Sequence, residues 1–553
     1  MSSLKTMNGR LYQNTAKTQI MKKHKPDHSK SDMWRGRICG CLDRAVFGLI
    51  LFLLFFTPLF LIPRVGTYNT AVHVKQLFVG FTSSTAAMLF LVRLMICGGG
   101  NSSSKKADGR RTKPASTASS LPISFHHDPV RLAILVYALT IGLSALFSGE
   151  ALYSLRHALR TWPILVIFLA MPRILPGAGK QGFLIQLDKI RYIILGAGAL
   201  AGAYGLCQYF GFDFLHTWFA YDIKDKLARN EILSTIGNPE YLGSYMAPLA
   251  LLCLPDVLAI SQDNKGKKAG NFFRRTIGVI LCLVFVSTLL LTGSRGAIIG
   301  LVGGALIAFL AILFRGKNWE NTRFRDLFRG RFLVAIVVLA VFILAFVILF
   351  SFPNPLNIHN QAIVERFKNL FDIRSTSVKE RILFYAIGAE MIKENPLCGV
   401  GEGMFRVKFY PTLIKLAERD DRIGVTRFID ELQNRVANDI HNDYLQVWVE
   451  NGSLGFLAFS LAIALFIAET LSLLFKKQLP GAIMDRRHSR KDSGATLLAY
   501  KFTVFMAFTA ATFCMLINAS FSFPMHTPAR SVLIWFLLGI THTAALTLHR
   551  INR

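Results

Sequence analysis

A histidine flanked by carboxylates, and arginines set among glycines, are the residues of this chain best able to do chemistry. His441 stands in Asn438-Asp439-Ile440-His441-Asn442-Asp443-Tyr444, with Asp439, Asn442 and Asp443 within hydrogen-bond reach in sequence. A neighbouring carboxylate orients an imidazole and raises its basicity, which is what a general base requires. Arg295 stands in Leu291-Thr292-Gly293-Ser294-Arg295-Gly296-Ala297. Gly293 and Gly296 leave room there for a bulky anion to reach the guanidinium and the backbone N–H groups, and a planar fork of donors suits phosphate oxygens. An arginine at a membrane boundary can instead simply snorkel to the interface. Arg381 opens a segment whose apolar residues Ile382, Tyr385, Ala386, Ala389 and Ile392 mark one helix face up to Pro396. Arg156 and Arg160 are four apart, so on a helix they point the same way, as an interface anchor or as a clamp for an anionic head group.

The elements that must position these residues are membrane helices. The chain of 553 residues is 52% hydrophobic and only 17% charged, and its apolar runs reach the length that spans a bilayer. The expected fold class is all-α, a polytopic integral membrane protein of about twelve spans with one long periplasmic helical loop. We place the spans near 45–63, 77–97, 132–148, 161–172, 192–213, 240–260, 276–292, 297–314, 332–352, 455–475, 502–520 and 531–548, with 161–172 the shortest. With both termini inside, 40 of the 63 Lys and Arg residues fall in cytoplasmic segments and 9 in the short outside loops. That is the positive-inside pattern, so the net charge of +30 is topological. It suits an anionic lipid surface rather than nucleic acid.

Five regions follow: a basic cytoplasmic tail 1–44, a bundle 45–352 interrupted by a flexible cytoplasmic linker 98–130, a periplasmic loop 353–442, a second bundle 443–548, and a cytoplasmic tail 549–553. The tail 1–44 is too long and polar to read as a cleavable signal. The eight cysteines imply no disulfide framework, and Cys39-Gly-Cys41 lacks the second pair a metal site needs. Gly198-x-x-x-Gly202 and Gly296-x-x-x-Gly300-x-x-x-Gly304 predict close helix packing. Gly237-Asn238-Pro239 predicts a turn that starts a helix. Within the long loop, an amphipathic helix is expected around 363–371 and a charged helical cap over 411–438. Gly399-Val400-Gly401-Glu402-Gly403 follows a helix rather than a strand, which argues against a nucleotide loop.

Three motifs in this order resemble a known family. They are Thr292-Gly293-Ser294-Arg295-Gly296-Ala297, the segment Arg381 through Pro396-Leu397-Cys398-Gly399-Val400-Gly401-Glu402-Gly403-Met404-Phe405, and His441-Asn442-Asp443-Tyr444-Leu445-Gln446 with Glu450-Asn451-Gly452-Ser453-Leu454-Gly455. Together they resemble the bacterial O-antigen ligase and polymerase superfamily over roughly 230–470. The resemblance implies a metal-independent, inverting glycosyltransferase of the bacterial inner membrane, with no cofactor. Its donor would be a glycan on polyprenyl (undecaprenyl) diphosphate, and its acceptor lipid A-core, a growing glycan or a protein. On this sequence it makes His441 the base and Arg295 and Arg381 the diphosphate ligands. Arg156 and Arg160 are candidate additions, and Asn442, Asp443, Gly293 and Gly296 support the site. A ligase acting on lipid A-core is favoured over a polymerase or a protein glycosyltransferase. Phe384-Tyr385 stand where relatives often carry Trp. The competing class is a lipid-linked glycan transporter, which usually places ionisable residues inside its spans. The interiors of spans 7, 8 and 9 hold none.

Overall fold

The computed structural model describes residues 28–60, 68–98, 128–175, 179–215, 232–258, 268–316, 376–419, 437–475 and 492–552, with single positions and short pieces between 330 and 354. The described residues form helices and no strands. They are α1 (His28–Leu59), α2 (Tyr68–Gly98), α3 (Pro129–Phe147), α4 (Ala151–Ile174), α5 (Gly179–Tyr209), α6 (Pro239–Leu252), the single turn α7 (Leu254–Val257), α8 (Lys268–Thr292), α9 (Arg295–Gly316), α10 (Thr376–Glu394), α11 (Phe405–Arg419), α12 (Asp443–Phe475), α13 (Asp492–Ala519) and α14 (Pro528–Asn552).

Nine of these are long and apolar enough to cross a membrane. Three expected spans are not among the nine. The 161–172 stretch belongs to α4, a 24-residue helix that also carries Arg156, Arg160 and Arg173. The 240–260 stretch is the 14-residue α6 followed by α7. About half of 332–352 lies outside the described residues, as do the expected amphipathic helix at 363–371, residues 99–127 of the linker and most of the charged cap.

Small residues let the helices close on one another. A Cβ on Gly300 would lie 2.5 Å from the Cys514 carbonyl oxygen, and one on Gly304 would lie 2.5 Å from that of Ala510. The glycine stripe of α9 therefore packs directly on the α13 backbone, as the spacing predicts. Gly198 and Gly202 likewise admit Leu249 and Val284. At the end of the bundle away from His441, the fully buried Arg191 pairs with Asp256 at 2.5 Å, and Tyr500 bonds Asp188. These contacts tie α5, α7 and α13. One disulfide, Cys39–Cys97, joins α1 to α2, where the sequence implied no framework. The two helices run side by side, which brings cysteines distant in sequence together.

The feature that matters most for the site is a break in α12. Gly452 takes φ 65°, ψ −171°, a region open in practice only to glycine. The break frees carbonyls behind it and N–H groups ahead of it, and these cannot be left unpaired inside a protein. The turn after α10 fills the gap. Val400 and Gly401 donate to the carbonyls of Val449 and Glu450, while Ser453 and Leu454 donate to those of Pro396 and Leu397, all within 2.9–3.2 Å. The glycine-dense segment is thus a backbone plug in a broken helix. Its first glycine is required for that approach, because a Cβ on Gly399 would sit 2.4 Å from the Glu450 oxygen.

A side chain at 452 would both occupy a disfavoured region, at a cost of about 1–3 kcal/mol, and meet the Leu397 oxygen at 2.2 Å. Gly452→Ala should therefore lower the melting temperature of the solubilised protein. An unchanged melting temperature would contradict the plug.

Candidate functional site

His441 lies in the irregular segment 437–442, one residue before its end, and α12 follows. Asn442 caps that helix by accepting from Leu445 N at 3.1 Å, so its role is to start α12 rather than to hold the imidazole. Gln446, one turn in, accepts from Ile440 N at 2.8 Å and donates to Glu450 at 2.8 Å. This bracing holds His441 at φ +62°, a conformation uncommon for a residue with a side chain. Its ring lies between Phe384 of α10, stacked at 6.0 Å, and Phe523, edge-on at 4.7 Å. Phe384 is therefore a wall around the histidine ring.

The carboxylate facing this ring is not one of its sequence neighbours. Asp443 is fully buried and turned away: its Oδ1 lies 2.7 Å from His526 Nδ1 and its Oδ2 accepts from Met525 N at 2.9 Å. The expectation that Asp443 orients His441 is corrected accordingly. Asp443 is the first residue of α12, so its side chain leaves from the helix face that meets the 524–526 turn. The group near His441 Nδ1 is Glu240 of α6, at 3.9 Å, and Nδ1 has no hydrogen-bond partner. Nε2 makes no hydrogen bond among the described residues. Burial pushes the His441 imidazole below its usual range. Glu240 works against that shift, while Arg381 and Arg530 add to it.

Glu240 is placed by the Gly-Asn-Pro turn read from the sequence. Gly237 has φ +90°, Asn238 accepts from Glu240 N at 2.8 Å, and Pro239 opens α6. The Glu240 side chain accepts from Ser522 at 2.6 Å, and Ser522 in turn accepts from Arg530 at 2.9 Å. Arg530 is fully buried and also lies over the Tyr241 ring, 4.0 Å from its centroid. Neither Glu240 nor Arg530 stood out in the sequence as a site residue. Glu240 was visible only as part of a turn, and Arg530 only as one more outside-loop cation.

Arg295 is the first residue of α9, after Gly293 at φ +64°. A Cβ on Gly296 would meet Asn518 and Phe521 at 2.9 and 3.0 Å. The three residues Phe521-Ser522-Phe523 thus touch the Arg295 turn, Glu240 and His441 in succession. Arg381 reaches the same locality from α10, where it acts electrostatically on His441. Arg156 and Arg160 lie elsewhere. They share a face of α4, and Arg160 lines a cavity of about 200 Å³ with His73, His157, Arg406, Asp439, Glu402, Glu450 and His526.

Glu402, Glu450 and His526 offer one ligand atom each within 4.8 Å of one another, a spacing that would admit a metal ion. Protein groups already engage much of this set. Glu402 accepts from Thr161 and Asn451 at 3.0 Å each, Glu450 accepts from Gln446, and Asp443 holds His526. Burial alone would lower the His526 pKa. The bond to Asp443, with the charges of Asp443, Asp439 and Glu450, outweighs it and raises the pKa to about 10.

The architecture is that of a multi-pass membrane protein. Residues 280–460, about a third of the chain, match the family model described as O-antigen ligase, and this region holds Arg295, Arg381 and His441. The resemblance carried by the three motifs is thereby borne out. Over this region the chain is similar to the O-antigen ligase family. Among curated proteins no match was found.

Because His526 is raised from 6.5 to about 10 in the folded state, its paired charge stabilises fully below pH 6.5. That contribution is lost progressively as the pH rises toward 10. The melting temperature should fall across this window, and Asp443→Asn should both lower it at pH 6.5 and flatten the fall. Parallel curves for the two proteins would contradict the Asp443–His526 pairing.

Proposed function

We propose that this chain is an inverting, metal-independent glycosyltransferase of the bacterial inner membrane. Its donor is a glycan on polyprenyl diphosphate, and its site lies at the periplasmic face with both termini cytoplasmic. A ligase acting on lipid A-core is the favoured reading. Repeat-unit polymerisation and protein O-glycosylation share the chemistry and differ in the acceptor.

The observation that carries this reading is the setting of His441. Nδ1 faces Glu240 at 3.9 Å, and the carboxylate's charge favours the tautomer with the proton on Nδ1 and the lone pair on Nε2. With its pKa held below the usual range, the imidazole is neutral, and so base-competent, at physiological pH.

The reaction balances on these groups. Nε2 takes the proton of the acceptor hydroxyl as its oxygen attacks the anomeric carbon, and the bond from that carbon to the diphosphate oxygen breaks. The electron pair leaves on the diphosphate, whose growing charge Arg295 and Arg381 stabilise. Fixed cationic donors aimed at developing charge act in this way, and removing one typically costs about 10²–10³-fold in rate. Gly293 and Gly296 keep the approach to Arg295 open. Transport of the lipid-linked glycan is the weaker alternative.

In a reconstituted transfer assay with EDTA present, Arg295→Gln and Arg381→Gln should each lower kcat by about 10²–10³-fold. Full turnover by either variant, or loss of wild-type turnover in EDTA, would count against the mechanism. The pH profile tests Glu240. The acid limb should reflect an imidazole below its ordinary range, and Glu240→Gln should move that limb to still lower pH. A limb that stays in place or moves upward would remove Glu240 from this role.

A further inference from the structure

Arg156 and Arg160 are candidate additions to the anion site of Arg295 and Arg381, and the sequence leaves open whether they reach it. The cavity of about 200 Å³ is lined by Arg160 and Arg406 but not by Arg295, Arg381 or His441. It is nevertheless next to them. Asp439 and Asn438, on its wall, precede His441 by two and three residues, and Tyr241, also on its wall, is the ring over which Arg530 lies.

The chemistry of this cavity is specific. His73, His157, Arg160 and Arg406 gather on it, with Arg156 one helical turn away on the exposed side of α4. Arg160 has no carboxylate partner among the described residues, its side-chain contact being Gln76 at 3.4 Å. Arg406 is exposed, with no ion pair among the described residues. Burial lowers the His157 pKa to about 4, and Arg160, His526, Arg156 and Arg406 all push the same way. The glycine turn is shaped to this group: a Cβ on Gly403 would lie 2.4 Å from the His157 ring. Asp439, Glu402 and Glu450 line the same cavity, but Glu402 is engaged by Thr161 and Asn451 and Glu450 by Gln446, so Arg160 and Arg406 keep donors that an anion can take up. Deeper in the cavity, Tyr137, Trp535, Glu402 and Glu450 supply ring faces and hydrogen-bond acceptors for hydroxyl groups. Sites for drug-sized ligands usually measure about 300–1,000 Å³, so this one has room for a single sugar ring.

We propose that this cavity is a second carbohydrate subsite, which binds an anionic sugar of the acceptor, bearing phosphate or carboxylate, through Arg160 and Arg406. This rests on the glycosyltransferase reading and extends it. An inverting displacement brings the nucleophile to the face of the anomeric carbon opposite the leaving group. Acceptor and diphosphate therefore need separate footholds around one base. Arg295 and Arg381 hold one, and the cavity beside Asp439 provides the other.

The test is equilibrium binding to the full-length, detergent-solubilised protein, with glucose 6-phosphate, glucuronate, glucose, inorganic phosphate and glycerol phosphate as probes. The two anionic sugars should bind at least tenfold more tightly than glucose and than either non-sugar phosphate. Arg406→Gln, at an exposed position where folding is not at stake, and Arg160→Gln should each weaken them at least tenfold. Arg160→Lys should restore part of the loss. Equal binding of glucose would remove the anion requirement. Equal binding of glycerol phosphate or inorganic phosphate would make this a head-group or phosphate site instead. Unchanged binding by both Gln variants would overturn the separate subsite. Probe binding is measured without turnover, so the two readings fail separately. Wild-type protein that binds the anionic sugars but transfers no glycan refutes the reaction alone. Protein that transfers glycan but binds the probes equally in wild type and Gln variants refutes the subsite alone.

Discussion

The site depends on backbone hydrogen bonds that a broken helix cannot make for itself. At Gly452 the chain leaves helical geometry, and the carbonyls of Val449 and Glu450 lose their intrahelical partners. The 396–401 turn supplies the missing donors and acceptors. The consequence reaches beyond the turn. Docking it locks α10 against the front of α12, so Phe384 lands on the His441 ring and Arg381 comes within electrostatic reach of it. The same dock carries Gly403 onto His157, so one set of main-chain bonds positions residues on both sides of the histidine.

Charge is then divided between two carboxylates that sequence alone would interchange. Asp443 neighbours His441 in the chain, yet it serves His526 and the 524–526 turn. Glu240, some two hundred positions away, is the carboxylate that faces His441. The division has a physical logic. A carboxylate in tight contact with an imidazole raises its pKa strongly, as His526 shows, and a permanently charged imidazole is no base. At 3.9 Å and without a hydrogen bond, Glu240 opposes the effect of burial on the imidazole without cancelling it.

The helical class, the glycine stripe of α9 on α13, the start of α6 at Asn238-Pro239 and the end of α10 before Pro396 were all legible in the sequence. Each is set by local chemistry: apolar run length, small-residue spacing, a cap, or an imino acid. His441, Arg295 and Arg381 were legible through the order of their motifs. Glu240 and Arg530 were not, because their importance comes from contacts across hundreds of positions that leave no local pattern. The break at Gly452 was hidden for a related reason. A glycine inside an apolar run reads as packing until the partner that fills the gap is known. Arg156 and Arg160 were recognised as a pair on one helix face, but no spacing rule says which cavity that face lines.

The central claim is that His441 takes the proton of an acceptor as a polyprenyl diphosphate leaves. Its most direct test is to incubate the reconstituted protein with a polyprenyl diphosphate-linked oligosaccharide and acceptor, counting glycosylated acceptor against free polyprenyl diphosphate. The account predicts equal amounts of the two products, a loss of about 10²–10⁴-fold in His441→Ala, and undiminished donor binding by that variant. Turnover by His441→Ala at the wild-type rate, or movement of the donor across the membrane with no glycosylated product, would contradict it.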